Sequence, residues 1–193
     1  NVPHVGHCHP RVVEAICRQS AELNIHTRYL HRGILDYVER LISTFDAPMQ
    51  AIVTCTGSEA NDLALRMAQA ATGRTGIVAT DNTYHGNTAA VSALNPRRPP
   101  LGGRPGHVRL IPAPCSVDPL GGSLAAQPEA FARNLWRAIA DLEDSGFGFS
   151  GLILCPMFAN EGLPAVERGF LDPAAAMVRR AGGLLIADGV QPG

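Results

Sequence analysis

The sequence contains no lysine: all 16 of its basic residues are arginine. A guanidinium stays protonated at working pH, so no side-chain amine is available within these 193 residues to act as a nucleophile. There is no Cys-x-x-Cys pair, and the 5 cysteines, at 8, 17, 55, 115 and 155, are odd in number. That argues against a disulfide framework or a zinc site and fits a reducing compartment, so a cytoplasmic protein is expected. Excess charge is also missing. The net charge of −1 gives no long-range attraction to nucleic acid or to an anionic membrane, and neither is expected as a partner. No apolar run approaches bilayer length. No signal peptide opens the chain, although it starts on Asn1-Val2-Pro3 rather than an initiator Met, so this absence excludes little.

What is present is a hydrophobic content of 46%, with 20 Gly and 15 Pro spread along the chain. This describes a globular α/β protein with many short turns, long enough for one domain with a core. Pro10 opens a helical pattern to about Asn24, with Val12, Val13, Ile16 and Leu23 as its apolar stripe. A second helix is expected over about 33–45. Ala51-Ile52-Val53-Thr54-Cys55 is short and β-branched and reads as a buried strand. Further helices are expected over about 58–71, 88–94, 128–144 and 172–181, with strands at 77–80, 108–111, 151–155 and 184–188. Asp172-Pro173 reads as an N-cap followed by a first-turn proline. Residues 95–106, rich in Pro, Gly and Arg, read as a surface loop.

Strands alternating with helices predict a three-layer α/β/α fold with a mostly parallel sheet. Ligands of such sheets bind beyond the carboxyl ends of the strands. That rule gathers Cys55–Ser58, Thr83–Gly86, Cys155 and Asp188–Gln191 around one crevice.

Each of these pieces has a plain alternative. Gly57-Ser58 at a helix start can seat a phosphate on free N–H groups, or can simply be a cap. Asp188 can hold a positively charged ring nitrogen, cap a helix or ligate a metal. Tyr84 can stack on a planar ligand or line the core. His7 and His9 lie two apart before Pro10, with no second ligand pair at metal spacing, so no metal is assigned. No Gly-x-Gly-x-x-Gly follows the first strand, which weighs against a dinucleotide-binding domain.

Taken together and in order, Gly6-His7-Cys8-His9-Pro10, Gly57-Ser58-Glu59-Ala60-Asn61, Tyr84-His85-Gly86 and Ile186-Ala187-Asp188-Gly189-Val190-Gln191 carry a resemblance over essentially the whole chain. The sequence resembles the class III aminotransferases, fold-type I enzymes dependent on pyridoxal 5'-phosphate (PLP). His26-Thr27-Arg28-Tyr29-Leu30-His31 and Asn61-Asp62-Leu63-Ala64-Leu65-Arg66 are most similar to the branch that includes ethanolamine-phosphate and phosphohydroxylysine phospho-lyases.

The resemblance implies that Gly57 and Ser58 hold the cofactor phosphate. Tyr84 stacks on the ring and His85 supports the pocket. Asp188 pairs with the pyridine nitrogen, Gln191 reaches the phenolic oxygen, and Val190 packs on the ring face opposite Tyr84. It implies a helical segment over 1–45 near a dimer interface and a partial cofactor-binding large domain over 46–193. Two more sheet strands, the Schiff-base lysine and a C-terminal domain are expected beyond Gln191, and a homodimer is expected of the full-length protein. Two positions depart from the pattern: Gly189 stands where a Glu is usual, and Cys155 where the strand usually runs into an acidic residue.

The expected activity is transfer of an amino group between an amino acid or amine and a keto acid. A phospho-lyase acting on a phosphorylated amine, which an anion pocket built from Arg28 and other groups would favour, is the enzymatic alternative. A non-catalytic relic is the other. The 193 residues alone, lacking lysine, are expected to bind the cofactor at most.

Overall fold

The computed structural model describes residues 3–25 and 28–192. His26 and Thr27, which open one of the stretches that resemble the phospho-lyase branch, lie outside the described residues. So do the chain ends at Asn1, Val2 and Gly193.

The chain divides into two compact units, residues 1–54 and 55–193. The first carries two amphipathic helices, α1 (Pro10–Glu22) and α2 (Arg32–Ile42). Pro10 starts α1 because its fixed φ suits the first turn and its missing N–H is not needed there. The expected apolar stripe forms, but Val12, Val13, Ile16 and Leu23 are all exposed.

The second unit begins with α3 (Gly57–Thr72), followed by β1 (Gly76–Thr80), α4 (Ala89–Ser92), β2 (Val108–Ile111), α5 (Gln127–Asp144), β3 (Phe149–Leu154), α6 (Asp172–Arg180) and β4 (Leu184–Ala187). The strands form one parallel sheet in the order β2-β1-β3-β4. Alternation along the strands builds two cores. Val78, Leu152 and Leu154 pack with Phe131, Leu135, Ala174 and Val178 of α5 and α6. Ile77, Ala79 and Ile153 pack with Leu65 of α3 and Val91 of α4. Helices on both faces make the expected three layers. The central strands β1 and β3 are buried throughout, whereas β4 is an edge on which Leu184 and Leu185 are each 42% exposed.

Two expectations are corrected. Residues 51–55 form no strand among the described residues, and Ile52 and Val53 are exposed. β-Branched composition favours an extended backbone, but a strand also needs a neighbour to receive its hydrogen bonds. At α6 the N-cap is Leu171, already in the helical region at φ −83 and ψ −7. Asp172 therefore lies inside the first turn, where its carboxylate still suits the helix dipole.

The β3–α6 connection bends sharply. Phe158 sits at φ +49 yet is fully buried. Its ring packs edge-on against Phe131 and Phe170, with centroids 6.1 and 5.7 Å away. That cluster offsets the cost of the left-handed backbone and fixes the turn carrying Asn160 and Glu161.

Candidate functional site

The site lies where β1, β3 and β4 end and α3 begins. Thr56 caps α3 by accepting the Glu59 N–H at 3.1 Å, while the Glu59 carboxylate accepts the Cys55 N–H at 2.8 Å. This reciprocal cap fixes the first turn, in which the N–H groups of Gly57 and Ser58 have no intrahelical carbonyl to bind. Gly57 is required by proximity: a Cβ there would come within 2.5 Å of Val190 Cγ2. Ser58 ties this turn to the loop after β1, its Oγ accepting the Asn87 N–H at 3.1 Å. Gly86 passes so close to Ser58, at φ +128, that no side chain fits.

Asp188 leaves the end of β4 and is only 7% exposed. Its Oδ1 accepts the Val190 N–H at 3.1 Å. Its Oδ2 accepts the Asn61 Nδ2–H at 3.0 Å and contacts His85 Nδ1 at 2.7 Å. The other imidazole nitrogen, Nε2, is 2.7 Å from Thr83 Oγ1. A carboxylate can only accept, so Nδ1 carries the proton toward Asp188. Burial pushes the Asp188 carboxyl up, but the hydrogen bond from His85, the Val190 N–H, the charge of His85 and the Asn61 amide together outweigh it. The net effect holds the group below its ordinary value, so it is a carboxylate at neutral pH.

Asn61, which the sequence pattern assigns no role of its own, organises the centre. The same Nδ2 also reaches the His85 carbonyl at 2.8 Å. Its signal was available: Asn61 shares the buried stripe of α3 with Leu65 and Ala68, an unusual place for an amide. Asn87 and Asn160 gave no such signal, whereas Thr83 is expected at the crevice from its place after β1.

Tyr84 is 44% exposed, with its hydroxyl accepting from Asn87 Nδ2 at 2.9 Å. Its carbonyl is 3.4 Å from Asn160 Nδ2, and Asn160 Oδ1 is 3.4 Å from Gln191 Nε2. Gly57, Ser58, Tyr84, His85, Asp188, Val190 and Gln191 are thus all joined, directly or through Asn61, Asn87 and Asn160.

The two departures look different in three dimensions. Cys155 is buried as a free thiol. Gly189 has open space where a Cβ would stand. A carboxylate is nevertheless present nearby: Glu161 accepts the Thr80 hydroxyl at the end of β1 through Oε1, while its Oε2 is buried without a hydrogen-bond partner.

The sequence model of aminotransferase class-III matches residues 1–193. An alanine--glyoxylate aminotransferase 2-like protein of Drosophila melanogaster is 32% identical, over 100% of this chain and 41% of its own length. A phospholyase from Arthrobacter, solved in complex with phosphoethanolamine, is 38% identical with a TM-score of 0.83, over 97% of this chain and 44% of that one. A PLP-bound amine transaminase from an uncultivated Pseudomonas species is 26% identical with a TM-score of 0.81, over 97% of this chain and 46% of that one. The chain spans less than half the length of each of these proteins. The family is PLP-dependent and includes both transaminases and phospho-lyases. With its whole described sequence matched and the parallel sheet shared, the chain belongs to the class III aminotransferase family.

Proposed function

We propose that the crevice binds PLP and that the protein to which this chain belongs transfers an amino group between an amino acid or amine and a keto acid. The observation that carries this reading is the buried Asp188 carboxylate, kept anionic by three donors. A buried carboxylate needs a cationic partner, and a protonated pyridine nitrogen supplies one. The residues fit the cofactor in two further respects. The N–H groups opening α3 suit its phosphate, and the tight Gly57–Val190 and Gly86–Ser58 approaches leave a cradle walled by backbone. Tyr84 and Val190, both partly exposed, would pack on the ring, with Gln191 at its phenolic oxygen.

When bound, PLP supplies an electron sink for charge developing on the substrate's α-carbon. Asp188 keeps the ring nitrogen protonated, and His85 and Asn61 keep Asp188 oriented and ionised. Asn160 positions Gln191. The test is PLP binding followed by visible absorbance: Asp188→Asn should weaken it at least about tenfold, since a charge-assisted hydrogen bond contributes roughly 1.5–3 kcal/mol. Unchanged affinity would sink the reading.

A phospho-lyase is the second reading, supported by the 38% identity to the Arthrobacter phospholyase. A homodimer in the full-length protein is proposed from the uncovered apolar stripe of α1, in the segment that resembles the family's interface. A cytoplasmic location rests on the free cysteines. Among the described residues no helix is long and apolar enough to cross a membrane.

A further inference from the structure

We infer that Arg97 and Arg98 form an oxyanion subsite beside Tyr84 that receives the far end of the substrate. The inference rests on the crevice being a PLP site. A cavity of about 380 Å³ lies against Tyr84, bounded by these two arginines and by Asn82, Asn87, Asn95 and Asn160. None of its lining residues is acidic.

The backbone turn that carries the arginines is fixed. Asn95 Oδ1 accepts the backbone N–H groups of both Arg97 and Arg98, at 3.0 and 3.2 Å, which fixes the turn they rise from. Among the described residues neither guanidinium makes an ion pair. Asn160 and Asn87 link the cavity to the cofactor crevice, since both bond to Tyr84.

Two adjacent guanidiniums with amide donors and no acid recognise an oxyanion, and they match the two charges of a phosphate monoester better than the single charge of a carboxylate. Both readings of the function supply such a group. An amino acid carries a carboxylate, and a phosphorylated amine carries a phosphate.

The experiment titrates the chain calorimetrically with phosphoethanolamine, β-alanine and ethanolamine, and repeats the titrations with an Arg97→Gln/Arg98→Gln double variant. Both arginines are exposed and keep their backbone bonds to Asn95 as glutamine, so an unchanged thermal melt is expected. Phosphoethanolamine should bind more tightly than β-alanine, with ethanolamine weakest. The double variant should weaken the two anions by roughly tenfold or more and leave ethanolamine unmoved. The order of the two anions says which source the subsite serves. No binding of either anion, equal binding of ethanolamine, or anion affinity unchanged in the variant would overturn the inference. PLP affinity, measured separately, should be the same in the variant and the parent. If it fell with the arginines, the cavity would belong to the cofactor phosphate and the subsite would be lost. If PLP failed to bind the parent while the anions still bound through the arginines, the cofactor reading alone would fail.

Discussion

His85 Nδ1 meets Asp188 Oδ2 at 2.7 Å although 103 residues separate them in sequence, and both are almost wholly buried. The contact pins the loop after β1 to the end of β4. It also gives Asp188 a titration that differs between the folded and unfolded chain.

The first prediction follows from the sign of that difference. The folded Asp188 carboxyl titrates below its ordinary value of 3.8. The unfolded chain therefore binds the proton first, and the stabilisation is fully present above that value. It declines as pH falls from 3.8 toward the folded value and is absent below both. Urea melts across this window should show a steeper loss of stability for the parent chain than for Asp188→Asn. Parallel curves would mean that Asp188 gains nothing from its partners on folding.

A second prediction contrasts two glycines. Gly86 needs both its positive φ and its missing Cβ, because Ser58 occupies the space. Gly86→Ala should cost about 2 kcal/mol or more and disturb PLP binding, by forcing the α3 start away from the loop. Gly189 has open space and no positive φ. Gly189→Glu, which restores the residue usual in the family motif, should fold with a stability within about 0.5 kcal/mol of the parent. Chemical denaturation of both variants checks this, and a large loss at Gly189 would contradict the open geometry.

The sheet was legible because β1 and β3 are short apolar runs separated by helices with period 3.6, and parallel pairing follows from that order. The 51–55 segment misled because propensity describes a backbone's preference and says nothing of its partner. The site was legible where backbone chemistry marks it: Gly57 and Gly86 at tight approaches, Asp188 at a strand end. Cross-chain amides left less trace. Asn61 was detectable only as a polar residue in an apolar stripe, and Asn160 reaches Tyr84 through a turn set by the positive φ of Phe158, for which no residue-type rule exists.

The third prediction concerns the sheet edge. β4 pairs with β3 on one side and leaves its other side unpaired among the described residues, with Leu184 and Leu185 exposed. Such an edge recruits other strands. The 193-residue chain should self-associate at micromolar concentration by light scattering, and Leu185→Lys should reduce this. A monodisperse monomer melting cooperatively would show that the edge is protected.

The last prediction is that these 193 residues catalyse no transamination by themselves. The chemistry needs an amine that bonds covalently to the cofactor and then carries a proton between substrate and ring. The sequence has no lysine, and its arginines stay protonated. His85 cannot substitute, because Asp188 and Thr83 engage both of its ring nitrogens. Exposed thiols such as Cys55 offer sulfur rather than an amine. Binding of PLP through Asp188 and the start of α3 should therefore be reversible. Treating the chain plus PLP with borohydride and measuring intact mass should show no stoichiometric pyridoxyl addition, whereas dialysis should remove the cofactor's absorbance. A single-site covalent adduct together with turnover of an amino donor would prove that an amine of this chain reaches the crevice.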